Sequence, residues 1–144
     1  MESGPAVVAV TPRPLVMVCD DIESIRAIIR INLELEGFDV LEANDGHEAM
    51  SHLIDPAAPV PDVIVLDAQT PRRDGWWAIA AIRAHPRLKD VPTVLVTAST
   101  TAHDRSEAAL AGFDSFVAKP FDPMDLVDVI SRLAAEGRPR IPGQ

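Results

Sequence analysis

The sequence predicts an α/β fold, a doubly wound five-stranded parallel sheet with five helices, and three observations carry that prediction. Apolar runs alternate five times with amphipathic stretches of helical length, the pattern of parallel strands joined by right-handed crossovers. The interiors of the runs are continuously apolar, as expected of strands buried on both faces. Four polar signatures close the runs: Asp20-Asp21 after LVMVC, Asp67 at the end of VIVLD, Thr97 after PTVLV, and Lys119-Pro120 after SFVA. In a parallel sheet the carboxyl ends of the strands share one rim, where open α/β folds bind ligands. Four separated motifs thereby become one candidate site.

The elements follow in order. LVMV precedes a helix over Ile22–Glu36, which Gly37 ends as a C-terminal cap. Ile25, Ile28, Ile29 and Leu33 make its core stripe, leaving Ile22, Ile31 and Leu35 toward the outside. FDVLEA leads to Gly46–Ile54, and DVIVL to Gly75–Ala84. The third helix begins with Trp76-Trp77, which reads either as a partner surface or as one ring packed on the sheet and one half exposed. TVLVTA precedes Thr101–Ala111, where Leu110 is the only large apolar residue among alanines. This helix buries little area and should be the loosest. SFVA leads to Pro123–Ala135, opened by Asp122 as N-cap and Pro123 at the first helical position. Leu126, Val129, Ile130 and Leu133 form its core stripe. Residues 1–14 contain three prolines and 137–144 read GRPRIPGQ, so both read as irregular tails around a domain of 15–136.

Composition narrows the function. A chain of 144 residues, 47% hydrophobic, can build one substantial core. Its net charge of −9 opposes non-specific nucleic-acid binding and suits a cation. No run approaches the ~18 apolar residues of a membrane span, and Met1–Pro14 lacks the basic and apolar regions of a secretory signal. A cytoplasmic location without membrane attachment is expected. The single Cys19 closes an apolar run and reads as a buried strand residue. His47, His52, His85 and His103 have no metal-ligand spacing and read as surface residues.

An acidic pair, a single carboxylate, a hydroxyl and a lysine are the groups that magnesium-assisted phosphoryl transfer to an aspartate requires. Taken singly, Asp67 reads as a helix cap, Lys119 as a solvated charge and Thr97 as a β-branched strand residue. Together they read as a site. Three carboxylates on one rim repel one another by about 4 kcal/mol per pair at 4 Å and an effective dielectric of 20. A hard divalent cation relieves this, with direct ligation from Asp21 and Asp67 and an outer-shell or water-mediated role for Asp20. Asp67 would attack the phosphoryl group while Lys119 neutralises its oxygens. Thr97 would donate its hydroxyl to the acyl phosphate, and Ala98 is small enough to leave room.

Over 15–136 the chain resembles the receiver domain of bacterial two-component response regulators, of the chemotaxis-regulator type. The resemblance rests on Asp20-Asp21, Asp67, Pro71, Asp74-Gly75, Thr97-Ala98, Phe116 and Lys119-Pro120-Phe121, in that order along the chain. It implies the strand order 2-1-3-4-5 and the backbone carbonyl of Gln69 as a further Mg2+ ligand. Thr97 and Phe116 would be the pair that moves on phosphorylation. Gln69 and Ser99 would line the path of the hydrolytic water; neither offers a carboxylate and neither is bulky enough to block it, so self-dephosphorylation of intermediate speed is expected. The implied partners are a histidine kinase or histidine phosphotransfer protein as donor, and a downstream effector reached through the Thr101–Ala111 helix, the last strand and the last helix. Thr70 and Arg73 depart from the family pattern, which leaves Arg72-Arg73 open between attracting a phosphodonor and being solvated. Only nine residues follow Ala135, which argues against an output domain and direct DNA binding. Two other readings are an aspartate-nucleophile phosphatase, which needs an acid where Gln69 stands and a cap domain, and a phosphorylation-independent docking module, which the complete residue set opposes.

Overall fold

The computed structural model describes residues 13–139. The chain runs β1 (Leu15–Cys19), α1 (Glu23–Leu35), β2 (Asp39–Ala43), α2 (Gly46–Leu53), β3 (Val63–Asp67), α3 (Gly75–Ala84), β4 (Thr93–Thr97), α4 (Ala102–Ala111), β5 (Ser115–Ala118) and α5 (Pro123–Glu136). All strand pairs are parallel and the order is β2-β1-β3-β4-β5. Fold class and strand order are those the sequence predicts. Of the expected tails, residues 1–12 and 140–144 lie outside the described residues. Arg13 and Arg138 hydrogen-bond onto the domain, Arg13 to the carbonyls of Glu34 and Phe38 and Arg138 to Asp114.

The pleat divides the core in two. Val16 and Val18, Val63 and Val65, and Val94 and Val96 face one way, onto Ile29 and Leu33 of α1 and Leu126, Ile130 and Leu133 of α5. Met17 and Cys19, Ile64 and Leu66, and Leu95 face the other way, onto residues of α2, α3 and α4. Successive strand side chains point to opposite faces, so an uninterrupted apolar run supplies both layers. Each fully buried Leu or Ile contributes about 1.5–3 kcal/mol.

Two stripes are corrected in detail. Ile28, assigned to the core by its spacing, is half exposed, because the buried face of α1 is centred on Ile29 and Leu33 and Ile28 lies about 100° away. On α5 the buried arc is turned toward Val127, leaving Val129 only partly covered. Ile22, Ile31 and Leu35 are exposed as expected. On α4 only Ala108 is buried, and Leu110 is 85% exposed.

Gly37 adopts φ +94°, with Phe38 N–H donating to Leu33 O and Gly37 N–H to Glu34 O. This left-handed cap stops α1 and turns the chain into β2. Asp122 caps α5 by accepting from Met124 N–H, with Pro123 behind it.

One buried network is invisible in the sequence. The Arg83 guanidinium, on α3, donates to the carbonyls of Lys89, Val91 and Gly112, to Thr93 Oγ1 and to Asp114 Oδ2 at 3.0 Å. Asp114 also accepts from Thr93 N–H and from Arg138 Nε at 2.9 Å. Burial, with the neighbouring Arg138 charge, pushes Arg83 down to about 10, and Asp114 opposes that shift. The network ties α3 to the amino ends of β4 and β5.

Candidate functional site

The strand order reverses between β1 and β3, and ligands of open sheets sit at the carboxyl ends beside that reversal. Asp20 and Asp21 follow β1, Asp67 ends β3, Thr97 ends β4, and Lys119 follows β5. Carboxylate oxygens of Asp20, Asp21 and Asp67 lie within 4.8 Å of one another. Asp20 and Asp67 are buried, whereas Asp21 is exposed. Lys119 Nζ donates to Asp67 Oδ2 at 2.7 Å and lies 3.9 Å from Asp20 Oδ2. The other Asp67 oxygen accepts from Gln69 N–H at 3.1 Å. Asp20 Oδ1 accepts from Ile22 N–H at 2.8 Å. Burial holds the Asp20 carboxyl above its ordinary range; the Ile22 N–H and Lys119 work against that shift, while Asp67 and Asp21 add to it.

Three hard oxygen donors with more negative charge than one ammonium can neutralise are a donor set suited to a divalent cation. The residues present therefore fit such an ion.

A cavity of about 340 Å³ opens on this rim, lined by Asp21, Ile22, Asp67, Ala68, Gln69, Thr97, Ala98, Ser99 and Lys119. The structure thus gathers the residues the sequence puts forward, with Asp20 beneath the rim. Phe116 stands apart on β5, its ring covered by the Arg105 guanidinium at 5.0 Å. Close backbone approach shapes the floor: a Cβ at Gly75 would lie 2.6 Å from Asp67 O. Only glycine lets α3 start so near the end of β3.

The departing loop finds partners within the chain. Arg72, at φ +66°, donates from Nε to the buried Asp45 Oδ2 at 2.7 Å. Asp45 is also the N-cap of α2, accepting from Glu48 N–H. Burial disfavours its ionised form, but Arg72 and the Glu48 N–H outweigh this and hold the carboxyl below its ordinary range. Arg73 lies over the Trp77 ring at 5.1 Å, and Trp76 packs edge-on against Phe113 at 5.6 Å. Both tryptophans are 37% exposed, so neither is buried on the sheet. Cys19 is buried, its thiol pushed up to about 12 by burial, with Asp45, Asp67, Asp20 and Glu48 adding to it. Such a thiol is inert. His47, His52 and His103 are exposed, and His85 is half-buried.

Two participants escape the sequence reading. Asp104 on α4 accepts from the hydroxyls of Ser99 and Thr101, beside the Thr97 loop. The other is Asp45, which anchors the loop after β3. A threonine three residues ahead of an acid, Thr101 and Asp104, is a legible helix-start signal; the turn of that acid toward Ser99 is not.

A family profile for the response regulator receiver domain matches residues 16–131. "Probable transcriptional regulator ycf27" of Porphyridium aerugineum is 35% identical over 111 residues, 77% of this chain and 44% of its own length. Protein PilG of Pseudomonas aeruginosa is 30% identical over 115 residues, covering 80% of this chain and 83% of PilG. The structure of the chemotaxis response regulator CheY4 of Vibrio cholerae matches with a TM-score of 0.78 at 28% identity, over 85% of this chain and 99% of that one. The chain spans less than half the length of several curated relatives that it matches.

Proposed function

The chain belongs to the response regulator receiver family, and from that premise we propose that it is a phosphorylation-controlled switch in which Asp67 accepts a phosphoryl group from a histidine kinase or histidine phosphotransfer protein. The observation that carries this reading is Lys119 Nζ at 2.7 Å from Asp67 Oδ2, on a rim that also gathers Asp20 and Asp21. An Asp67 oxygen forms the bond to phosphorus as the donor's phosphorus–nitrogen bond breaks, and Lys119 follows the charge onto the phosphoryl oxygens. Asp21 and Asp67 would hold Mg2+ directly, with the Gln69 carbonyl, while Asp20 acts from the outer shell. When bound, the ion neutralises phosphoryl charge. Thr97 donates its hydroxyl to the new group and Ala98 leaves it space. The test is uptake of a single phosphoryl group from acetyl phosphate in the presence of Mg2+, read by intact mass.

The output runs through Thr97 and Phe116 to α4, β5 and α5, which would present the effector surface. Support comes from the sparse burial of α4 and from the cation–π contact of Arg105 over the partly buried Phe116 ring. An exposed cation–π contact is worth about 0.5–1 kcal/mol, small enough for a modification to overcome. No helix among the described residues is long and apolar enough to cross a membrane, and we place the switch in the cytoplasm.

Ion binding has its own signature. At tenfold excess over Kd, Mg2+ adds about 1.4 kcal/mol, which raises Tm by roughly 5 °C in a domain of this size. Asp20→Asn should raise the metal-free Tm at neutral pH, because it removes a buried charge that Asp67 and Asp21 repel while keeping an acceptor for Ile22 N–H. The same variant should shrink the Mg2+ shift. Calorimetric scans with and without Mg2+ read both; a lower metal-free Tm in the variant would count against the repulsion argument.

The donor would approach over α1. Ile22, 46% exposed, lines the site cavity. Beside it Ile25, Ile28, Phe121 and Pro123 border an open apolar groove of about 520 Å³. An apolar contact next to a polar site is a common interface arrangement. Ile22→Ser should slow transfer from the cognate kinase by about tenfold, with labelling by acetyl phosphate and Tm nearly unaltered. Equal loss with both donors would mean that Ile22 supports the site itself.

A further inference from the structure

Asp104 is the third residue of α4, and Thr101 is the N-cap of that helix, its hydroxyl accepting from Asp104 N–H at 3.2 Å. An acid at this position usually reaches back to the backbone N–H of the cap. Here its Oδ2 accepts two hydroxyls instead, Thr101 Oγ1 at 2.7 Å and Ser99 Oγ. Those hydrogen bonds, Ser99 first, hold the Asp104 carboxyl below its ordinary range. The carboxylate borders a cavity of about 200 Å³ together with Trp76 and Leu95. That cavity shares Ala68, Gln69, Thr97 and Ser99 with the cavity over Asp67. Its volume exceeds the ~30 Å³ share of one liquid water several-fold.

A serine hydroxyl has one proton and two lone pairs. With its proton committed to Asp104, Ser99 Oγ can only accept from a molecule on its open side. We propose that Asp104 is a positioning residue for phosphoryl hydrolysis: it fixes Ser99 Oγ as an acceptor, so that a water beside Ser99 gives it a hydrogen bond and turns a lone pair toward phosphorus. This rests on Asp67 being the phosphoacceptor. In the step, the water oxygen bonds to phosphorus as the bond between phosphorus and the Asp67 carboxylate oxygen breaks. The protons of the water leave with inorganic phosphate, Asp67 regains its carboxylate, and Asp104 stays ionised throughout. The carboxylate that Gln69 and Ser99 lack is thus supplied from α4, one helical turn beyond the loop. Without Asp104, the Ser99 proton would turn toward the phosphoryl oxygens and leave the water unheld.

The test is the decay of phosphorylated protein after removal of acetyl phosphate, followed by intact mass in Mg2+, for the wild type, Ser99→Ala, Asp104→Ala, which unlike an amide leaves no acceptor for the Ser99 hydroxyl, and the double variant. Each single change should slow decay roughly fivefold, the rate equivalent of one lost hydrogen bond. The double variant should be no slower than the slower single, since both remove the same contact. In Asp104→Ala the decay constant should fall relative to the labelling rate constant, a ratio that loss of loop support alone would not move in this direction. Wild-type decay in Asp104→Ala, multiplied effects in the double variant, or an unchanged ratio would overturn the proposal. A wild type that takes up no phosphoryl group would overturn the Asp67 reading and this inference with it.

Discussion

Asp67→Asn is expected to abolish phosphoryl uptake: wild-type protein incubated with acetyl phosphate and Mg2+ gains the mass of one phosphoryl group, and the variant gains none. The argument is chemical before it is geometric. A carboxylate oxygen is a nucleophile toward phosphorus, whereas a neutral amide is not at neutral pH. Asp20 and Asp21 stand within the same 4.8 Å cluster and are the obvious substitutes. Each of Asp20 and Asp67 accepts one backbone N–H, but the nearest ammonium to Asp20 is 3.9 Å away, while Asp67 has that ammonium at 2.7 Å. Asp21 is exposed and among the described residues forms no ion pair with Lys119. Of these three aspartates, Asp67 alone combines an ammonium in hydrogen-bond contact with a place on the cavity that Thr97 and Ala98 share. Continued labelling of the variant would move the phosphoacceptor to a neighbouring carboxylate and reassign Lys119.

The strand-end residues were legible because a parallel sheet converts sequence position into spatial position: a polar residue that ends an apolar run must sit on the carboxyl rim. That rule brought Asp67, Thr97 and Lys119 together without any knowledge of their contacts. It fails where position is set by side-chain reach rather than by strand register. Asp104 and Ser99 meet because a loop folds back on its own helix. Arg72 meets Asp45 because a left-handed residue at φ +66° redirects its side chain across to α2, and nothing in the run TPRRDG announces that conformation. The helical stripes have the period the spacing predicts but a shifted centre. A pattern of i, i+3, i+4 and i+7 fixes which residues share a face, yet the neighbour decides where the middle of that face lies. Ile28 and Val129 lie at its edge, and the exposure of Ile28 gives the groove beside the site an apolar wall.

Arg83 carries the largest stability effect expected outside the site. Its side chain is 15% exposed and that of Asp114 only 5%. Removing one member of a buried pair leaves the other charged and unsolvated, which costs about 3–5 kcal/mol. Arg83→Met keeps the aliphatic volume but leaves the buried Asp114 with only Thr93 N–H and the more exposed Arg138, and takes the guanidinium away from the carbonyls of Lys89, Val91 and Gly112. For a domain of this size the loss corresponds to a fall in Tm of roughly 10–15 °C. Arg138 binds the same carboxylate from a more exposed position, 34% accessible. Arg138→Ala should therefore cost about 1 kcal/mol or less. Asp114→Leu combined with Arg83→Met should recover part of the single-variant loss, because the double change leaves no buried carboxylate without its partner, and Arg138, freed of Asp114, is exposed enough to be solvated. Thermal denaturation of the three variants separates the possibilities. If Arg83→Met melts within 2–3 °C of the wild type, on the order of one exposed hydrogen bond, the network is not what fixes α3 to the amino ends of β4 and β5. The rim that holds Asp67 lies at the opposite ends of these strands, so at temperatures below the lowered Tm the variant should still accept phosphoryl groups from acetyl phosphate.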